Sequence, residues 1–231
     1  MTYLLVFLLT AVSLEALRRR AAGLGLVAYP GGHRRHASPT PLVGGIGIVA
    51  GVLLGVWLLP VGPESRWALL AAGSLLVAVG VWDDMTEASS TLRFAAQIAA
   101  VSLMAYIADV SLRDLGYIFN TDHSLTLGRW GIALTIFAAV GVINAVNMSD
   151  GLDGLAGGLS LVTCIALLIA AGGAGGAPGA ALVGATVAGL AAFMLFNARI
   201  AGWGHARLYL GDSGSLLVGF LLAWFLIHLS Q

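Results

Sequence analysis

Eight apolar runs, each close to the length of a membrane-crossing helix, restrict this chain more than any other feature of its sequence. They fall at about 2–17, 42–60, 66–82, 92–109, 130–147, 156–173, 179–197 and 213–229, separated by turn-rich or charged stretches. A spanning helix needs about 20 mostly apolar residues, with roughly 17 tolerated, and the first run is the shortest of the eight. Of the 231 residues, 59% are apolar and 10% charged, far from the roughly 25% charged residues of a soluble domain. The expected fold is all-α: a polytopic transmembrane helical bundle of about eight spans, forming one integral-membrane domain over 1–231.

Charge placement orients the spans. The apolar stretch Thr2 to Leu17 precedes Arg18, Arg19 and Arg20. A cleaved secretory signal carries its charge ahead of the apolar core, so this order predicts a retained first span with its N-terminus outside. Alternate connections at 18–41, 83–91, 148–155 and 198–212, with Arg93, hold eight of the eleven Arg; the remaining side has only Arg66, Arg113 and Arg129. Positive loops stay in the cytoplasm, and an even span count then leaves both termini on the outer side. Eleven Arg balance eleven Asp and Glu, and Lys is absent. The chain therefore has no basic excess to attract nucleic acid.

Other features read as architecture. Cys164, the one cysteine, lies in an apolar run and packs. Gly47, Gly51 and Gly55 form a small-residue ridge that lets another helix approach closely; packing within one chain and homodimerisation explain it equally well. Residues 171–180 form a flexible outer connection whose Pro178 can start the next helix, and the amphipathic stretch 110–129 reads as a hairpin or surface helix without a catalytic role.

The acids are not spread evenly. Asp83, Asp84, Glu87, Asp150, Asp153 and Asp212 all fall on the cytoplasmic side at helix ends, and ionisable groups at membrane depth usually mark function. The adjacent Asp83 and Asp84 repel unless a cation or a shared proton lies between them; Mg²⁺ is commonly held by one or two carboxylates plus substrate phosphates. In the string Asn144 to Gly158, the residues Asn144, Asn147, Asp150 and Asp153 recur every third position, which on one straight helix would scatter them over half its circumference. Gly151 and Gly154 break that helix, so a turn can aim Asp150 and Asp153 toward one point, with freed backbone amides beside the next helix start as a phosphate seat. At the third group, Arg207 to Ser215, Asp212 occupies the position expected of a helix N-cap. Taken with the other acids it reads as a third corner of a metal and diphosphate site, with Arg207 near to hold phosphate oxygens.

Four motifs occur in order: His33-Arg34-Arg35-His36-Ala37-Ser38-Pro39-Thr40-Pro41 running into Gly44-Gly45, then Asp83-Asp84, then Asn144 to Gly158, then Gly211-Asp212-Ser213-Gly214-Ser215. On these residues the chain resembles the polyprenyl-phosphate N-acetylhexosamine-1-phosphate transferases (glycosyltransferase family 4) along nearly its whole length. The resemblance implies a Mg²⁺-dependent enzyme, with Mn²⁺ as the alternative ion, in the bacterial inner membrane with its site facing the cytoplasm. Its substrates would be a UDP-N-acetylhexosamine and a polyprenyl phosphate such as undecaprenyl phosphate. By the same resemblance Asp150 and Asp212 hold the metal, and Asp83 and Asp84 position or deprotonate the lipid phosphate. Asp153 and Asn147 line the nucleotide-sugar pocket, Arg93 and Asn197 lie near the donor, and His33 and Arg34, with Arg35 and His36, lie near the entrance for anionic substrates. Two departures accompany it. The family's usual ten or eleven spans and late cytoplasmic loop rich in His and Arg are not reached before Gln231, and the family's Lys in the first motif is replaced by His and Arg.

The implied reaction is phosphoryl transfer: a lipid phosphate oxygen attacks the β-phosphorus of the UDP-sugar and UMP leaves, directly or through a covalent aspartyl intermediate. A transporter or channel is the rival reading; it predicts mid-helix acids and internal repeats, and the sequence has neither. A non-catalytic lipid-binding relative is the third reading.

Overall fold

The structure is a computed structural model that describes residues 1–29, 39–86, 88–117, 123–172, 179–198 and 205–231. Among them are eight α-helices: α1 (Thr2–Arg20), α2 (Gly44–Leu58), α3 (Pro63–Thr86), α4 (Ser90–Ile107), α5 (Gly131–Ser149), α6 (Leu155–Ala170), α7 (Ala180–Asn197) and α8 (Gly211–Ser230). Each expected run forms one helix, with ends displaced by a few residues. The helices α3, α4, α5 with its preceding 3₁₀ turn, α7 and α8 are long and apolar enough to cross a membrane. The α2 and α6 helices, at 15 and 16 residues, rise only about 23 Å at 1.5 Å per residue, short of a hydrocarbon core of about 30 Å. In α1 the window carries Glu15 along with Arg18, Arg19 and Arg20.

The bundle is built around α8, which buries fifteen of its twenty residues. By contrast α5 buries Gly131, Thr135, Ala139 and Ile143, one stripe at four-residue spacing, the pattern of a helix with a single packed face. Lipid tails are as apolar as leucine, so nothing squeezes spanning helices together by hydrophobicity; close van der Waals contact through small residues has to do it. The ridge on α2 is the clearest case. A Cβ on Gly47 would meet Leu14 Cδ2 at 2.3 Å, and one on Gly51 would meet Thr10 Oγ1 at 2.0 Å. Val6, Thr10 and Leu14 of α1, themselves spaced four apart and buried, fill the ridge. It is therefore occupied within the chain and is not a free face for a second copy.

Two departures from an all-α reading occur. Strands β1 (Val27–Ala28) and β2 (Thr40–Pro41) pair antiparallel, and Leu42 bridges Tyr209 in parallel; elements of two residues leave no periodicity to read. The described flanks of the 110–129 stretch pair as in the expected hairpin, with an antiparallel bridge Asp114 to Thr126 and Leu115 N–H donating to Leu125 O at 3.0 Å. Gln231 fastens it: the side-chain Oε1 accepts from Arg113 N–H at 2.7 Å and Asp114 N–H at 3.1 Å. Cys164 is buried. Pro178 lies outside the described residues.

Candidate active site

One end of the bundle collects the ends of all eight helices, and the start of α8 is its centre. Asp212 is not the N-cap expected from the sequence. Leu210 holds that position and has no side chain able to accept a hydrogen bond, so the first N–H groups of α8 need partners from elsewhere. Neighbouring helices supply them. Asp150, just past α5, accepts from Gly211 N–H at 3.1 Å. Asp84 of α3 accepts from Asp212 N–H at 2.9 Å and Ser213 N–H at 3.2 Å with its two oxygens. Gly211 has φ +73°, and a Cβ there would lie 2.8 Å from Asp84 Oδ2, so glycine meets both the backbone and the space requirement.

With its backbone held by others, the Asp212 side chain is directed outward from the first turn. Its Oδ1 accepts from Asn147 Nδ2 at 2.5 Å and lies 3.6 Å from Arg93 Nη1. The same Arg93 nitrogen donates to Asp83 Oδ2 at 2.9 Å. Asp83 is buried, and a carboxylate that deep is tolerated when a guanidinium matches it. Two acids from distant parts of the chain thus flank one arginine. Adjacent residues on a helix point about 100° apart, which is why Asp83 and Asp84 serve different partners.

The turn between α5 and α6 depends on Gly154 rather than on Gly151, at which a Cβ would meet nothing within 4 Å. Gly154 adopts φ +79°, and both nearby acids are aimed at one segment, Asp150 at Gly211 and Asp153 at Ala206 N–H, 3.0 Å away. Asn197 ties the same layer together, accepting from Gly154 N–H at 2.9 Å and donating to Leu208 O at 3.0 Å. Burial pushes the Asp150 carboxyl up to about 8; the Gly211 N–H pulls it down, and the charges of Asp212 and Asp84 push it further up.

Close approach of backbones sets these distances. A Cβ on Gly80 would meet Ser213 Cα at 2.3 Å, and one on Gly45 would meet Gly214 N at 2.2 Å. The start of α2 completes the layer: Gly44 N–H donates to Tyr209 O and Gly45 N–H to Leu210 O, each at 3.0 Å. Strands β1 and β2 hold that start in place.

Not every expected residue joins the group. Arg207 is drawn to α1, its Nη2 4.0 Å from Glu15 Oε2 and its guanidinium over the Phe196 ring, beside Arg18, which also pairs with Glu15. His33, Arg34, Arg35, His36 and Glu87 lie outside the described residues. Among the described residues no three His, Cys, Asp or Glu side chains gather as a ready-made metal cage. The donor chemistry nonetheless fits a hard divalent ion, because an oxygen-only pair such as Asp83 and Asp212 is the kind of set that Mg²⁺ completes with substrate phosphate oxygens.

Two contributors were given no role from the sequence, although Ser215 lies in the fourth motif. Ser215 Oγ accepts from Asn147 Nδ2 at 2.8 Å. Gln97, buried one turn beyond Arg93, accepts from Asn144 Nδ2 at 2.6 Å; a lone polar residue four positions after Arg93 in an apolar run was the available clue.

The apolar bundle and its polar end define a multi-pass membrane protein with one candidate site where the helix ends meet. The family model described as Glycosyl transferase family 4 matches residues 66–230. The chain is 37% identical over 227 residues to undecaprenyl-phosphate alpha-N-acetylglucosaminyl 1-phosphate transferase of Salmonella typhi, covering 98% of this chain and 61% of that relative. For the protein of the same name from Escherichia coli (strain K12) the identity is 34% over 226 residues, with 98% and 61% covered. For the probable undecaprenyl-phosphate N-acetylglucosaminyl 1-phosphate transferase of Bacillus subtilis (strain 168) it is 29% over 221 residues, with 95% and 60% covered. This chain belongs to glycosyl transferase family 4, as its motifs imply, and it spans about three fifths of the length of these relatives.

Proposed function

We propose that this chain, as a single domain over 1–231, transfers an N-acetylhexosamine-1-phosphate from a UDP-sugar to a polyprenyl phosphate, releasing UMP, on the cytoplasmic face of the bacterial inner membrane. The observation that carries the reading is the Asp83, Arg93, Asn147 and Asp212 constellation, drawn from four helices to one end of an apolar bundle. The relatives, undecaprenyl-phosphate alpha-N-acetylglucosaminyl 1-phosphate transferases, support the substrate class. The orientation is supported by Arg18, Arg19, Arg20, Arg93 and Arg207 at the site end against Arg66, Arg113 and Arg129 at the other. On this reading eight helices alternate in direction, α2 and α6 as short ones, and both termini lie outside.

Asp212, with Asp83 beside it and Asp150 on the adjoining backbone N–H, would hold Mg²⁺ or Mn²⁺. The ion, when bound, neutralises charge on the diphosphate and the leaving nucleotide, where phosphoryl transfer gains most. The remaining work belongs to the chain's own groups. Asn147 fixes the Asp212 carboxylate in one orientation. Arg93 balances Asp83 and Asp212 and offers further donors to phosphate oxygens. A lipid phosphate has a second pKa of about 6 and is mostly ionised at neutral pH, so Asp83 serves more as a positioning acceptor than as a strong base. Asp153 and Asn197 order the segment leading to Asp212, beside which the nucleotide-sugar is expected.

Purified protein in nanodiscs, given labelled UDP-GlcNAc, undecaprenyl phosphate and Mg²⁺, should release UMP and form a lipid-linked sugar diphosphate. Asp212→Asn should lower kcat by about 10³-fold, the scale of losing a preorganised charge-stabilising group. Ion flux through liposomes without UMP release would replace this reading with a transporter.

A further inference from the structure

The two adjacent acids of α3 have been treated as a pair, and the geometry separates them. Asp83 faces Arg93. Asp84 has both oxygens on backbone: Oδ1 on Asp212 N–H and Oδ2 on Ser213 N–H. These are the second and third N–H groups of α8, and Asp150 takes the first, at Gly211. The helix that carries Asp212 has Leu210 at its N-cap position, with no capping side chain, and its first-turn donors are closed from α3 and from the turn after α5, 61 to 129 residues away in sequence.

We infer that Asp84 is a positioning residue: its carboxylate acts as the cap of α8, fixing the direction of the Asp212 side chain without itself touching either substrate. A carboxylate accepting two N–H bonds has the lone pairs that face those donors committed. A helix start that is already neutralised has correspondingly less to offer an anionic phosphate, so the diphosphate is left to Arg93 and to Asp83 and Asp212 with their cation. Gly80, one turn before Asp84, lets α3 lie against the Ser213 backbone, the closeness a short Asp side chain requires to reach two successive amides.

The inference rests on the proposed transferase reading for its catalytic meaning, but its geometry can be tested without turnover. Hydrogen exchange of the segment containing Asp212 and Ser213 should be followed in wild type, Asp84→Asn and Asp84→Ala. Removing the acceptors in Asp84→Ala should speed exchange there by about tenfold, the scale of a lost cap, while Asn, itself a good capping residue, keeps most of the protection. In the nanodisc assay, Asp84→Ala should raise the Mg²⁺ concentration for half-maximal rate about tenfold and leave the KM for UDP-sugar unchanged. The Asp84→Asn change should recover most of that loss, with a wild-type pH profile. Unchanged exchange in Asp84→Ala overturns the inference, as does an Asn variant as inactive as Ala with normal protection or with the acid limb of its pH profile gone. If wild type shows no UMP release, the function falls and the exchange result still decides the cap.

Discussion

The starts of α4 and α8 solve one problem in opposite ways. Each leaves several N–H groups without helical partners. In α4 the residue just ahead of the helix does the work, Ser89 Oγ accepting from Leu92 N–H at 3.3 Å. In α8 the preceding residue is leucine, and carboxylates from α3 and from the turn after α5 reach across instead. A local cap stabilises its own helix and little else. A cap supplied by neighbours makes the helix start conditional on the assembled bundle, and here that start carries Asp212.

The sharpest way to break the contrast is to push α3 away from α8. In Gly80→Ala the new Cβ would sit 2.3 Å from Ser213 Cα, so backbone must shift; a cost of about 3 kcal/mol is the upper range for overpacking. Thermal unfolding in detergent should show that loss, and UMP release should fall with it because Asp84 no longer reaches its amides.

A second difference is that a hydroxyl cap does not titrate and a carboxylate cap does. Asp150, pushed up to about 8 in the fold, would be near 3.9 in the unfolded chain. A group raised in this way stabilises the fold fully below its unfolded value and stops doing so as pH rises through about 8. The unfolding temperature of metal-free protein should therefore decline from about pH 4 to about pH 8, and Asp150→Asn should flatten part of that decline. A steeper slope in the variant would contradict this.

The smallest effect belongs to α4. Ser89→Ala should cost about 1 kcal/mol, lowering the unfolding temperature by about 2–4 °C in a chain of this size. Its Mg²⁺ dependence should stay that of wild type.

What could be read beforehand follows the same division. Eight helices were legible because a run of some twenty apolar residues reports its own length, and the turn after α5 because Gly151 and Gly154 interrupt it. Asp83, Asp150 and Asp212 were grouped from their motifs; the fold sets Asp83 and Asp212 about Arg93 and turns Asp150 to the Gly211 N–H. Their individual partners were not anticipated, since hydrogen bonds spanning 61 to 129 residues leave no trace in local pattern. Asp212 looked like a cap because Asp before an apolar run usually is one; the cap position in fact falls two residues earlier, at Leu210. Arg207 was read as a phosphate ligand from its nearness to Asp212 in sequence; its ion pair with Glu15, nearly two hundred positions back, left no trace there.

The central placement of α8 bears on how the protein is made. Among the described helices it leaves the ribosome after the other seven, so until then Asp84 and Asp150 lack the α8 N–H donors and Arg93 lacks Asp212. The candidate site is thereby left open until α8 is in place, and a nascent chain stalled before Gly211 would carry only part of it.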